Sequence, residues 1–273
     1  MKPARFDFVR PASLAEASRL LTGENGAARL VAGCQSLGPM LNLRLATPRL
    51  LIDLTGIAEL ARVEDHGDAV TVGACITHAN IEDRRLPGPG LEALVGIARH
   101  IAYRAVRNRG TIGGSLCHAD PAADWVAVLC AFDAQCIVFA PGGRRLVPAS
   151  GFVAGAFENV LAPGEILEAV TIPRLSPHGR FGYYKVCRKA GEFASALGAV
   201  LWDPGRGWFR AVIGATRGKP IVVGDARQLK GGATALDDGA LLALFARHDV
   251  SDPATRRQQT AALSRAWRQA APQ

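Results

Sequence analysis

The chain of 273 residues predicts an α+β fold: two α/β lobes followed by a third domain in which a three-stranded antiparallel sheet packs with helices. Three observations predict it. Strand, glycine turn and helix alternate over residues 1–55. Helical patterns and isolated strands surround a second glycine-bearing loop over 56–174. After a short linker, residues 178–273 show three apolar stretches of strand length separated by turn signals, then two helical patterns.

Taken in order, Ser13 and Glu16 form a capping box that opens an amphipathic helix over 13–22. A short apolar strand then runs into Gly33, a helix spans 37–45, and a strand ends near Leu54, giving a βαβ-like lobe. In the second lobe the alternating stretch 69–74 is a strand, and helices are expected near 77–85 and 91–103. A helix begins at Pro121 with Asp120 as its cap. Strands follow near 135–140 and 166–172, with Gly142-Gly143 as a hairpin signal. The segment 175–180 is a linker. Beyond it, strands at 181–186, 194–201 and 208–215 are divided by the turn Asp203-Pro204-Gly205-Arg206-Gly207. Helices at 237–246 and 253–270 close the chain, the second placing Ala262, Leu263, Ala266 and Trp267 on one face.

The net charge of +8 is mostly arginine, since only Lys2, Lys185, Lys189, Lys219 and Lys230 are lysines. No aromatic residues interleave with a basic stripe and no nucleic-acid module is present, so DNA or RNA binding is set aside. Arg107, Arg109, Arg188 and Lys189 are the candidates to meet cofactor phosphates or acidic partner subunits. The six cysteines (Cys34, Cys75, Cys117, Cys130, Cys136, Cys187) include no C-x-x-C pair and no metal-like histidine spacing. They read as reduced thiols, with no metal site on this chain. Cys117 and His118 are assigned no catalytic role. No apolar run is long enough to span a bilayer and no signal-peptide core precedes the first helix, so a cytoplasmic protein is expected.

Residues 107–124 are the most informative stretch. Gly113 and Gly114 lack Cβ atoms, so the backbone there is expected to take positive φ and press its N–H groups against an anion, with the helix start after Asp120 facing the same place. Residues 30–37 repeat the arrangement: strand, Gly33, the Ser36 hydroxyl, then a helix start. Two such loops, about eighty residues apart, suggest a ligand with adjacent phosphates, and a dinucleotide fits. No G-x-G-x-x-G follows a strand. The segment 214–220 is one residue short of a Walker A loop and carries Pro220 where Ser or Thr is required, so it reads as a turn. The serine of GCQSLG falls one position late for a nucleophile elbow.

The stretches AGCQSLGPMLNLRLATPRLLIDL (32–54), RNRGTIGGSLCHADPAADWVAVLCAFDA (107–134), PGEILEAVTIP (163–173) and YYKVCRKAGEFASALGAV (183–200) together resemble the FAD-binding medium subunit of molybdenum hydroxylases. That family includes carbon monoxide dehydrogenase medium subunits and the flavin domain of xanthine dehydrogenase. The resemblance implies a PCMH-type (vanillyl-alcohol-oxidase-like) fold, with FAD between the first two lobes and the third domain covering its ring. It assigns Val31, Ala32, Gly33, Gln35, Ser36 and Leu37 to a first pyrophosphate loop, and Thr111, Ile112, Gly113, Gly114 and Ser115 to a second. Asp124 corresponds to an acidic residue near the flavin's sugar or phosphate portion, Ile101 and Leu167 to apolar lining positions, and Lys185 to a lysine near the cofactor. Cys34 stands inside the first loop where the family usually has a second glycine.

The resemblance further implies an electron-transfer subunit of a heterotrimer, itself forming a dimer of heterotrimers. A large partner would hold the molybdenum cofactor and a small one [2Fe-2S] clusters, with NAD, a quinone or a carrier protein as final acceptor. The flavin does the redox chemistry and no side chain of this chain is expected to be catalytic, although Tyr183 or Tyr184 could tune or shield the ring. Two other readings stay open: a stand-alone FAD-dependent reductase or oxidase of the same fold superfamily, and a flavin-free structural subunit, which only Cys34 favours.

Overall fold

In the computed structural model, which describes residues 2–24, 26–88, 90–232 and 235–270, the N-terminal region contains β1 (Asp7–Val9), α1 (Leu14–Gly23), β2 (Ala28–Val31), α2 (Leu37–Asn42) and β3 (Leu50–Asp53). The strands are parallel in the order β1-β3-β2, so the loops leaving β2 and β3 emerge on one edge of the sheet. The Ser13 Oγ accepts the Glu16 N–H at 3.2 Å, while the Glu16 carboxylate accepts the Ala12 N–H at 2.8 Å, one residue earlier than in a standard capping box. Strand β1 was not expected; three residues are too few to read from periodicity. Helix α2 stops short of residue 45 because Arg44 turns the chain at φ +56°.

The middle region contains β4 (Val63–Asp65), β5 (Ala69–Gly73), α3 (His78–Glu82), α4 (Glu92–Arg99), α5 (Arg104–Arg107), α6 (Ile112–His118), α7 (Asp124–Ala131), β6 (Gln135–Ala140), β7 (Gly143–Pro148), α8 (Ala149–Phe152), β8 (Val153–Gly155), β9 (Glu158–Asn159) and β10 (Ile166–Pro173). Five of its strands make one sheet in the order β4-β5-β10-β6-β7, every pair antiparallel. The helix expected over 91–103 ends at Arg99, where the His100 Nδ1 bonds the Gly96 carbonyl at 2.7 Å and Ala102 then takes φ +44°.

The C-terminal region contains β11 (Arg180–Val186), β12 (Ala196–Asp203), β13 (Trp208–Gly214), β14 (Ile221–Val223), α9 (Asp238–Arg247) and α10 (Pro253–Ala270). Its sheet has four strands in the order β11-β12-β13-β14, correcting the expectation of three. The fourth is the Ile-Val-Val run after Pro220, too short to be read by itself. Helix α10 lies on one face of this sheet: a Cβ on Gly198 would stand 2.6 Å from the Leu263 Cα, and one on Gly182 would overlap the Ala266 carbonyl. Ala262, Leu263, Ala266 and Trp267 are fully buried beneath it, with Trp267 edge-on to Trp202. On the other face lies α7, buried along its whole length, which explains why Trp125 to Ala131 is apolar without helical periodicity. One continuous core runs from Leu14 in α1 through α7 to Val212 in β13, so the three sheets share an interior.

Candidate functional site

The loop after β2 leaves the parallel sheet at the carboxyl ends of its strands, where sheets of this kind receive ligands. Gly33 sits against the backbone of Arg109 and Gly110. A Cβ there would overlap the Arg109 carbonyl oxygen and stand 2.7 Å from the Gly110 Cα. The missing side chain is therefore what lets the two glycine-bearing segments touch. Positive φ falls one residue later, at Cys34 (φ +59°). The Gln35 amide donates to the Gly33 carbonyl at 3.0 Å, and among the described residues the N–H groups of Gly33, Cys34, Gln35 and Ser36 meet no protein acceptor. Burial pushes the Cys34 thiol up, against the lowering charge of Arg109. On the same edge, burial works to raise the Asp53 carboxyl. The Thr55 N–H (2.9 Å) and hydroxyl (2.7 Å) and the Arg10 guanidinium (2.6 Å) outweigh it and hold the group below its usual value.

The second segment is built differently from the sequence expectation. Gly113 and Gly114 lie in the first turn of α6 and do not take positive φ. Thr111 is the reason: its hydroxyl accepts the Gly114 N–H at 3.0 Å and caps the helix before the glycines. The N–H groups of Ile112, Gly113 and Ser115 go to the carbonyls of Ile76, Ala74 and Thr111, each at 3.0 Å. Gly113 is needed for close approach, since a Cβ on it would overlap the Ala74 Cβ. Asp120 is likewise no helix cap. Its carboxylate accepts the Ala122 N–H at 2.9 Å in a turn, and α7 starts at Asp124.

His78, which the sequence reading did not single out, supports this segment from below. Its backbone N–H donates to the Gly110 carbonyl at 2.9 Å, and its Nδ1 accepts the buried Trp125 indole N–H at 3.1 Å. Burial first, then the charge of Arg107, pulls the imidazole down to about 4, so it stays neutral with the proton on Nε2. A lone histidine near a helix start gives no sequence signal of such a role.

Asp124, at the start of α7, meets β11. The Lys185 Nζ lies 3.0 Å from one carboxylate oxygen and 3.3 Å from the His100 carbonyl, and the Tyr183 hydroxyl donates to the same carboxylate. Burial, reinforced by the Asp124 charge, pushes the Tyr183 phenol well above its ordinary value. A cavity of about 140 Å³ opens here, lined by His100, Tyr183, Tyr184, Lys185 and Gly191 among others. Ile101 bridges to Gly191 beside it. The structure thus brings Ile101, Asp124 and Lys185 together at one junction, and Gly33 to Ser36 with Thr111 to Ser115 at another. Leu167 stands apart as a core residue of β10 opposite Val138.

Two of the arginines considered for phosphate contact are engaged elsewhere. Arg107 bonds Glu82 at 2.7 Å and the carbonyls of Ile101 and Ala102 at 3.0 and 2.8 Å, while Arg188 pairs with Glu192. Burial pushes the Cys117 thiol up to about 12, and the His118 ring packs on Phe157. Among the described residues no cluster of His, Cys, Asp or Glu could hold a metal ion, and no helix is long and apolar enough to cross a membrane.

The residues fit a dinucleotide such as FAD. Gly33 lets the two segments close on each other, the N–H groups of Gly33 to Ser36 are free among the described residues, and hydroxyls at Ser36, Thr111 and Ser115 stand on the adjoining segments.

A family model described as "FAD binding domain in molybdopterin dehydrogenase" matches residues 4–175. The carbon monoxide dehydrogenase medium chain of Hydrogenophaga pseudoflava is 37% identical over 201 residues, covering 74% of this chain and 70% of that one. The nicotine 6-hydroxylase medium subunit of Paenarthrobacter nicotinovorans is 36% identical over 236 residues, covering 85% and 82%. Among solved structures, the reconstituted CO dehydrogenase from Oligotropha carboxidovorans superposes with a TM-score of 0.88 at 31% identity, over 99% of both chains.

Proposed function

The chain belongs to the FAD-binding medium subunits of the molybdenum hydroxylases, and from that premise we propose how its residues serve the flavin. It is the FAD-binding, electron-transferring subunit of an oxidoreductase complex. The molybdenum cofactor and iron–sulfur clusters lie on partner subunits. FAD, when bound, supplies the redox chemistry.

The chain's own residues bind and orient. The N–H groups of Gly33, Cys34, Gln35 and Ser36 donate to the pyrophosphate, flanked by Val31, Ala32 and Leu37. The segment Thr111, Ile112, Gly113, Gly114 and Ser115 supplies the opposite wall and hydroxyl donors. Asp124 stands near the sugar or phosphate portion, Ile101 supplies apolar surface while Leu167 stays in the core of β10, and Lys185 stands at the ring end. Lobes 1–55 and 56–174 embrace the cofactor and 178–273 covers it. The assembly is a cytoplasmic dimer of heterotrimers that passes electrons to NAD, a quinone or a carrier protein.

The contact of Gly33 with Arg109 and Gly110 supports this reading most, because it joins two segments distant in sequence into one cradle. Replacing Gly33 with Val forces them apart, whereas Gly96→Ala, which points into open space, does not. Visible flavin absorbance of the purified proteins decides: the first variant is expected to lose most of its FAD and the second to keep it. Full FAD in both would overturn the assignment.

A further inference from the structure

The whole net charge of the chain sits in its C-terminal third. Residues 178–273 hold 15 Lys and Arg against 7 Asp and Glu, while residues 1–177 hold 17 of each. Four of the seven acidic side chains of this third are engaged by backbone N–H groups. Asp203 accepts from the Ser176 N–H and hydroxyl, and Asp225, Asp237 and Asp252 bond backbone N–H groups at helix starts. Most of the basic residues are exposed.

Several of them line up. On α10, Arg257, Arg265 and Arg268 fall on one exposed stripe, and no large hydrophobic residue of that helix is exposed beside them. Gly182 and Tyr184 of β11 face α10, so Arg180 projects on the same side. Lys189 stands just beyond the end of that strand. None of these five cations has an ion-pair partner among the described residues; the pairs formed in this third belong to Lys185, Arg188, Arg210 and Arg227. Strand β11 is the outer strand of its sheet, and the stripe reaches the cavity through Tyr184, whose ring lies 4.5 Å under the Arg265 guanidinium and whose hydroxyl accepts from it.

We propose that the α10 stripe and the cations at the two ends of the outer strand β11 form a docking surface for a small acidic electron-carrier protein. Permanent subunit contacts are large and apolar at their centre, whereas brief electron-transfer encounters are small and steered by charge. The cations of this face lack ion-pair partners among the described residues, α10 exposes no large apolar side chain beside them, and the face ends at the cavity assigned to the ring end of the flavin. The proposal rests on the electron-transfer reading above and names its acceptor as a protein.

The test titrates the assembled complex with an acidic [2Fe-2S] ferredoxin as probe, and separately with NADH and with a short DNA duplex, at low and at physiological salt. Ferredoxin binding is expected, weakening about tenfold or more with salt and by a similar factor in Arg265→Glu/Arg268→Glu. Arg257→Glu, whose side chain makes no ion pair, repeats part of the loss without disturbing Tyr184. The charge reversal Arg19→Glu/Arg29→Glu, on exposed positions of α1 and β2 outside the C-terminal third, is expected to change binding less than about twofold. Salt-insensitive binding, equal losses in both double variants, or stripe-dependent binding of only NADH or DNA would overturn the proposal. Flavin absorbance of the same samples keeps the two readings apart: absent FAD with intact docking defeats the flavin assignment alone.

Discussion

The Lys185 Nζ stands 3.0 and 3.1 Å from the two carboxylate oxygens of Asp124, and both side chains are almost sealed from water. The pair joins the first residue of α7 to β11, and so ties the middle region to the C-terminal sheet. Removing either partner strands a buried charge, which costs about 3–5 kcal/mol. Lys185→Met and Asp124→Asn should therefore each lower stability strongly, while the double variant should lose less than the sum. Chemical denaturation of the four proteins measures the coupling; full additivity would show that the pair does not act as a unit.

Gly113 and Gly114 are adjacent but predict different outcomes. A Cβ at Gly113 meets the Ala74 backbone and side chain, which belong to the turn after β5 and cannot swing away. Gly113→Ala should lose about 1–3 kcal/mol, the usual range for overpacking. At Gly114 the Cβ meets only the Thr111 Oγ1, at 2.8 Å. Gly114→Ala should cost about 1 kcal/mol by displacing the cap, partly offset by the higher helix propensity of alanine. Thermal melts rank the two, and equal losses would contradict the geometry.

Cys34 carries a side chain at φ +59°, where a non-glycine residue is strained by about 1 kcal/mol or more. Cys34→Gly relieves that strain but frees the unfolded chain by a comparable amount, so its stability should stay within about 1 kcal/mol of the parent. Cys34→Val should be clearly worse than either, because a β-branched residue tolerates this region least. Urea titrations of the three proteins settle the order. A stable Val variant would mean that the loop relaxes out of the left-handed conformation.

The sequence announced the elements that have length or punctuation. The capping box, the Gly142-Gly143 hairpin, the Asp203 to Gly207 turn and the buried face of α10 were all legible, because each depends on residues close together in the chain. Strands β1 and β14 were not, since three residues show no period and exist only through pairing with β3 and β13. For the candidate site the glycine-bearing segments are legible as segments, but the backbone geometry expected of Gly113 and Gly114 is not the one they adopt. Adjacent glycines suggest positive φ, yet whether a glycine serves rotation or close approach depends on what packs against it, here Ala74 and Arg109. His78 was invisible for the same reason, as its partners Trp125 and Gly110 are far away in sequence.

That histidine gives the fold a defined acid sensitivity. In the folded chain burial and Arg107 hold the His78 imidazole at about 4, whereas an unfolded histidine titrates near its ordinary value of 6.5. Between these values the unfolded state binds the extra proton, so stability rises with pH across that window and is lost as pH falls through it. From pH 7.5 to pH 5 the loss due to this residue is about 2 kcal/mol. The carboxyls of Asp53, Glu82 and Asp203 act at lower pH. All three are held below their usual values, so their contribution is fully present above the unfolded carboxylate range and is lost only as pH falls through the folded values. Replacing His78 with Gln removes the titration near pH 6. The variant should be less stable at pH 7.5, because the Trp125 indole loses its imidazole acceptor while the backbone bond to Gly110 remains, but its stability should change little down to pH 5. Urea denaturation at the two pH values compares the slopes, and an unchanged slope in the variant would assign the acid sensitivity to other groups.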